Sequence, residues 1–435
     1  MGKDSGENLR KLFVGIEEKV IINKKDKIVP INFDNAATTP PFKRVLKRII
    51  ECSEHYGSIA RGDGQNSQFC SETYEDCRRY VLKYFNAPDN RYTALFIGNA
   101  TEGLNKLANM LIQDKSDIVI TTRMEHHSND LPWRDKCSLK YIDVDGHGRI
   151  KLEQLEELLL IYNERVKYVT ITGASNVTGY INNIEKISAL AHSVGAKLII
   201  DGAQLIPHKK VVMIDGEGNN IIDYLVFSAH KLYAPFGGGA IIGLKDELNK
   251  VEPLFKGGGT VKRVMDYDQE YLLCPERNEA GTPNFFGVLA MVEALKELDR
   301  IGFDTIERNE KNLYRYLIDG MNSLDKIILY GDNECVDDRL GILGFNILGM
   351  SYEAVGAALA CKRAIAVRQG GFCAHPYVRR LLCIQDDDLE DFINENGMPG
   401  MIRVSLGIYN TKKEVDIFLE IVEEICRGYK GKVYN

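Results

Sequence analysis

The sequence predicts an α/β protein, with a mostly parallel sheet in a large domain and a smaller α+β domain at the C-terminus. Short β-branched runs alternate with helical patterns through the middle of the chain, which implies a parallel sheet covered on both faces. Polar residues collect immediately after those runs, where such sheets bind ligands. The 435-residue length exceeds what one core usually holds, so two domains are expected.

Residues 1–30 carry no motif and are expected to pack on the small domain. The large domain is expected over 31–295. Its strand runs are "TALFI" (93–97), "DIVITT" (117–122), "KYVTIT" (167–172), "AKLIID" (196–201) and "DYLVF" (223–227). Helical patterns lie between them, such as "TEGLNKLANML" (101–111) and "IEKISALAHSV" (184–194). The runs are followed in turn by "FIGNATEG", "EHHSN", "GASNVTG", "DGAQ" and "SAHK", so five polar clusters should converge on one pocket. From about 296 to 435 the pattern changes to long helices and short strands such as "LGILGFNIL", read as the small domain.

Composition narrows the function. Hydrophobic residues make up 44% and charged residues 27%, as in soluble globular proteins. A net charge of −7 and the lack of any basic block argue against nucleic-acid and membrane partners. No apolar stretch approaches the ~18–20 residues of a membrane span, and the first residues lack the apolar core of a signal peptide. Ten cysteines without a CxxC pair are read as reduced thiols in a cytoplasm. The "EHH" triplet has no second His/Cys group at metal-site spacing and HExxH is absent, so no metal is expected.

The expected pocket has a particular chemistry. Asp201 ends a buried strand, with Gln204 three residues on. A helix opens at "NATEG", where free backbone N–H groups favour a phosphate. Ser228 and His230 can donate to the same phosphate, Lys231 adds an amine, His126 a flat ring and Asn176 an amide. Pyridoxal 5′-phosphate (PLP) uses all of these: a lysine for its aldehyde, an acid for its ring nitrogen and donors for its phosphate.

Nine motifs in register then resemble one family. They include "FDNAATTP" (33–40), "MEHHSNDLPW" (124–133), "SNVTG" (175–179), "DGAQLIPH" (201–208), "SAHKLYAP" (228–235), "EAGTPN" (279–284) and "RVSLGIYNT" (403–411). The chain resembles the class V, fold-type I PLP enzymes, and among them cysteine desulfurases of the selenocysteine-lyase-like type. That resemblance implies that Lys231 is the Schiff-base lysine, Asp201 the ring-nitrogen partner and His126 the ring stacker. Asn176 and Gln204 would contact the ring oxygen. Ala100, Thr101, Ser228 and His230 would hold the phosphate, with Thr282 contributed by the second subunit of a homodimer. Arg403 would grip the α-carboxylate of an amino-acid substrate, and Asn176 would line the same site.

The loop "RQGGFCAHPYVRR" (368–380) resembles the one that carries a desulfurase's nucleophilic cysteine, here Cys373. The resemblance implies L-cysteine as substrate, a persulfide on Cys373, L-alanine as product and a protein as sulfur acceptor. His375, Arg379 and Arg380 are local candidates for activating the thiol. The alternative is another class V activity, an aminotransferase or a C–S or selenocysteine lyase, that does not use Cys373. The chain departs from the family in three places. Ala100-Thr101 stands where Thr-Thr is common, "ARGDG" (60–64) keeps Arg61 but lacks two histidines, and the acidic segment 386–400 is extra.

Overall fold

The computed structural model describes residues 5–22, 26–59 and 62–428; Arg61 lies outside the described residues. A seven-stranded sheet forms the centre of the large unit. Its strands are β1 (Tyr92–Ile97), β2 (Ile118–Thr122), β3 (Ser138–Ile142), β4 (Val166–Thr172), β5 (Lys197–Asp201), β6 (Tyr224–Ser228) and β7 (Gly239–Leu244). They lie in the order β1-β7-β6-β5-β4-β2-β3. Only β7 runs against its neighbours; the other pairings are parallel.

The five runs read from the sequence are β1, β2, β4, β5 and β6. Two strands lay outside that reading. β3 is an edge strand whose first four residues are only half-buried, so it lacks a continuous apolar run. β7 returns so soon after β6 that it reads as the exit of a turn. The return depends on Gly238: a Cβ there would lie 2.5 Å from the carbonyl oxygen of Gly287. Only a bare backbone can pass so close.

Helices pack on both faces of the sheet. Helix α1 (Ala100–Leu111) follows β1 and buries Leu104, Leu107 and Leu111. Helix α2 (Phe285–Ile301) is buried along most of its length. Helix α3 (Phe303–Asn322) then leads into a second, antiparallel sheet. That sheet contains β8 (Ile327–Tyr330), β9 (Ile342–Ile347), β10 (Arg368–Gly370) and β11 (Met401–Ser405), in the order β8-β9-β11-β10. Between β10 and β11 lie α4 (His375–Leu381) and α5 (Leu389–Asn396), the latter within the acidic segment and burying no residue. Helix α6 (Lys412–Gly428) closes this unit, whose core gathers Phe33, Tyr314, Phe345 and Phe418.

The strand ends of the large sheet meet the second unit along a seam. Ile31–Asn32 pair with Ile365–Ala366, and Asp34 bridges to Ser405 at the end of β11. The N-terminal segment straddles the same seam. Arg10 pairs with Glu414 at 2.7 Å, and Phe13 packs on Phe42, Tyr233 and Tyr409 with ring centroids 4.7–5.1 Å apart. Phe13 is 2% exposed. Phe13→Ala should therefore lower unfolding free energy by about 3–5 kcal/mol, read as a drop in denaturant midpoint at constant slope.

Candidate functional site

The cavity on the seam has a volume of about 740 Å³ and is lined from both units. Its floor is made by the ends of neighbouring strands. Asp201 is the last residue of β5 and pairs in register with Val226 of β6. Two residues further on, β6 ends at Ser228, and a single 3₁₀ turn (Ala229–Lys231) carries Lys231 into the cavity. Residues of "FDNAATTP" clamp that turn. Thr39 donates its N–H and its hydroxyl to His230 O, at 3.1 and 2.9 Å, and accepts the Tyr233 N–H at 2.8 Å.

Burial sets the ionisation here. It lowers Lys231 to about 8, against the attraction of Asp201, which holds it up. Burial likewise raises the Asp201 carboxyl, while Lys231 pulls it back down. Asp201 Oδ1 accepts the Ala203 N–H at 3.0 Å, which fixes the carboxylate. His126 is driven down to about 3 by burial and by Lys231, so its ring is neutral. Its Nδ1 accepts the Ser128 N–H at 3.1 Å, which places the ring proton on Nε2. His230 falls to about 4 for the same reasons, burial first.

One side of the cavity is the start of α1. Asn99 caps the helix by accepting the Glu102 N–H, and Ser228 Oγ accepts the Ala100 N–H at 2.7 Å. Thr101 and Ser128 share a hydroxyl contact at 2.7 Å. Asn99, Ala100, Thr101, Ser128, Ser228 and His230 all line this end. Backbone N–H groups and hydroxyls at a helix N-terminus make an anion site.

The other side is cationic. Arg403, on β11, is 2% exposed; it donates Nη1–H to Asn176 O at 2.9 Å and Nη2–H to Asp34 Oδ1 at 3.1 Å. Burial lowers it to about 10, so it stays protonated at neutral pH. Its buried Nε has no hydrogen-bond partner among the described residues. A buried guanidinium with an unsatisfied N–H and a helix N-terminus on one cavity suit a ligand that carries both a carboxylate and a phosphate. Asp34 also binds Arg368, with Oδ2 at 2.8 Å from its Nη2. One carboxylate therefore holds two guanidinium groups at the cavity wall.

The structure brings Lys231, Asp201, Gln204, His126, Asn176, Ala100, Thr101, Ser228, His230, Arg403 and Cys373 around this one cavity. Thr282 is exposed and outside the cavity of its own chain. Gln204 Nε2 donates to Ala36 O at 2.7 Å and Asn176 Nδ2 to Phe372 O at 2.8 Å, so each amide is oriented by backbone. Cys373 is exposed at the mouth of the cavity. The arginines expected to activate it are engaged elsewhere. Arg379 pairs with Asp386 at 2.7 Å, and Arg380 pairs with Asp143. Sequence reasoning also passed over Asp34 and Arg368, although both lie in motifs it had singled out.

Lys231 should titrate apart from other lysines. In cofactor-free protein, reductive methylation of Lys231 should rise with a midpoint near about 8, where surface lysines follow about 10.4. Asp201→Asn removes the attraction that raises the amine's pKa, so the midpoint should move lower still. Peptide-resolved mass spectrometry across a pH series checks both.

Comparison with known proteins agrees with this geometry. The model of the class-V aminotransferase family matches residues 31–418. A probable cysteine desulfurase of Synechocystis sp. is 33% identical over 410 residues, covering 92% of this chain and 91% of its own length. A cysteine desulfurase of Enterobacter sp. is 34% identical over 394 residues, covering 88% and 90%. The apo structure of a cysteine desulfurase from Thermococcus onnurineus NA1 superposes with a TM-score of 0.82 at 30% identity, covering 92% of this chain and 95% of that one. With its fold, its cavity and these relatives of the cysteine desulfurase type, the chain belongs to the class-V aminotransferase family.

Proposed function

We propose that the protein is a PLP-dependent cysteine desulfurase that moves sulfur from L-cysteine onto Cys373 and releases L-alanine. The observation that carries this reading is the meeting of Lys231, Asp201, Arg403 and Cys373 around one cavity. The relatives named cysteine desulfurases support the same activity.

PLP, when bound, supplies an aldehyde carbon for an amine and a ring that accepts electrons from the substrate's Cα. Lys231 Nζ would anchor that carbon. Its lowered pKa leaves a share of the amine neutral at physiological pH, so the same atom can later take the Cα proton. Asp201 would keep a proton on the ring nitrogen, and neutral His126 would lie against the ring. The start of α1, with Thr101, Ser228 and His230, would hold the phosphate. Arg403 would take the substrate carboxylate and so direct its side chain toward Cys373.

Sulfur transfer then falls to Cys373. Its Sγ attacks the substrate sulfur as thiolate, an Sγ–S bond forms and the substrate's Cβ–S bond breaks. The electron pair of the broken bond leaves with Cβ, which is protonated and departs as alanine's methyl group. The net exchange is L-cysteine plus Cys373 thiol to L-alanine plus Cys373 persulfide, which balances without an external oxidant.

A homodimer belongs to this reading. Thr282 is exposed outside its own cavity. Nearby in sequence, the hairpin of Val261–Val264 and Gln269–Tyr271 presents Val264, Met265 and Tyr267 to solvent. A second copy of the chain would cover those side chains and present its Thr282 to this phosphate site. All ten cysteines are free, which fits a reducing cytoplasm, and no helix among the described residues is long and apolar enough to cross a membrane.

Product analysis tests the reading. Wild type should release alanine from L-cysteine in step with a 32-Da adduct on Cys373 (about one sulfur, the persulfide of). Cys373→Ala should lose the adduct and at least about 100-fold in rate, while keeping the bound-cofactor absorbance that Lys231→Ala loses. Keto acid as main product, or full-rate sulfur release by Cys373→Ala, would point to a class V activity that does not use this thiol. Asp34→Asn should raise KM for cysteine about tenfold or more with kcat less affected, as expected when a charged hydrogen bond of roughly 1.5–3 kcal/mol no longer orients Arg403.

A further inference from the structure

The Cys373 loop is fastened from two sides. The main-chain N–H of His127 donates to Cys373 O at 2.6 Å. The His127 ring accepts, at Nε2, the main-chain N–H of His375 at 3.2 Å, and the two imidazoles meet edge to face at 4.6 Å. From the opposite side Asn176 Nδ2 donates to Phe372 O at 2.8 Å.

Between these ties the backbone is strained. Phe372 and Cys373 have φ of +51° and +53°, two consecutive non-glycine residues in the left-handed region. Such residues cost on the order of 1–3 kcal/mol each and persist only where their surroundings over-determine them. Phe372 is buried with its ring 5.1 Å from the Arg403 guanidinium carbon. Gly371 is packed under His375, whose Cδ2 would be 2.4 Å from any Cβ there. The loop thus folds into a knuckle that leaves the thiol at the cavity mouth.

We propose that His127 is the positioning residue for the Cys373 thiol. The inference rests on the reading of Cys373 as nucleophile. Its neighbour His126 lines the cavity, so one short turn sends one imidazole to the cofactor side and the next to the loop. Acceptance at Nε2 puts the ring proton on Nδ1 of a neutral imidazole. Burial, with the neighbouring His375, lowers the His127 pKa and favours that neutral form. Without the acceptor, the His375 N–H and the turn into α4 lose their anchor. The strained pair then keeps only its two carbonyl ties, from the His127 main-chain N–H and from Asn176, and can relax to carry the thiol away from the substrate sulfur. A misplacement of about 1 Å can cost about 10²-fold in rate.

The test uses two readouts on wild type, His127→Ala and His127→Gln. The Gln amide oxygen reaches about as far from the main chain as His Nε2, so it can replace the acceptor. In cofactor-free protein, amide hydrogen exchange over residues 371–377 should quicken in His127→Ala, most at His375, and return toward wild type in His127→Gln. In the loaded enzyme, His127→Ala should form the Cys373 persulfide about 10–100-fold more slowly, with KM for cysteine and cofactor absorbance unchanged and His127→Gln largely restored. Unchanged exchange over 371–377, a rate loss that tracks lost cofactor, or a His127→Gln as slow as His127→Ala would overturn the proposal. Absence of any persulfide on Cys373 in wild type would instead remove the nucleophile reading itself, whatever the exchange shows.

Discussion

The structure depends on an amine and a carboxylate that face one cavity from the ends of adjacent strands. Asp201 closes β5, and Lys231 follows one short turn beyond β6, so sheet pairing sets their proximity. Neither charge is cheap to bury, and each alters the other's ionisation. Stability alone gives little reason to keep such a pair, since well-packed apolar residues would serve as well or better. Perturbed ionisable groups in a cleft are instead a mark of a site with chemistry to perform. The same cavity is lined by the start of α1, which suits an anion, and by a buried guanidinium from the second unit.

Much of this was legible in the sequence, for a physical reason. In a parallel sheet, successive strand ends lie at one edge, so local motifs after each strand report a shared location. Asn176, Asp201, Ser228 and Lys231 could be placed together without knowing one long-range contact. Arg403 was legible only through the resemblance, because it arrives from the antiparallel sheet of the other unit. The Asp34 clamp was not legible: it joins residues 369 positions apart in the chain, and no periodicity encodes such a pairing. The partners of Arg379 and Arg380 were not legible for a similar reason. Proximity in sequence put them near the thiol, but folding turns them to Asp386 and Asp143.

The Cys373 loop shows where a sequence hides geometry. Its unusual backbone angles fall on Phe372 and Cys373 as well as on Gly370. The loop is held, and its ties come from the two segments that also shape the cofactor side of the cavity. His127 and Asn176 each follow a strand of the large sheet, while the loop belongs to the second unit. The Cys373 thiol is thereby indexed to the cavity across the seam. The acidic segment after it carries α5, which buries no residue, and supplies none of the residues that line the cavity.

The most direct measurement of the central assignment is to load the protein with PLP, reduce it with borohydride and locate the cofactor by peptide mass spectrometry. Reduction turns a lysine–aldehyde linkage into a stable secondary amine, so the labelled residue is identified without reference to turnover. A stoichiometric label on Lys231, strongly diminished in Asp201→Ala, is the expected result. A label spread over surface lysines, or no label on Lys231 in folded protein, would contradict the assignment.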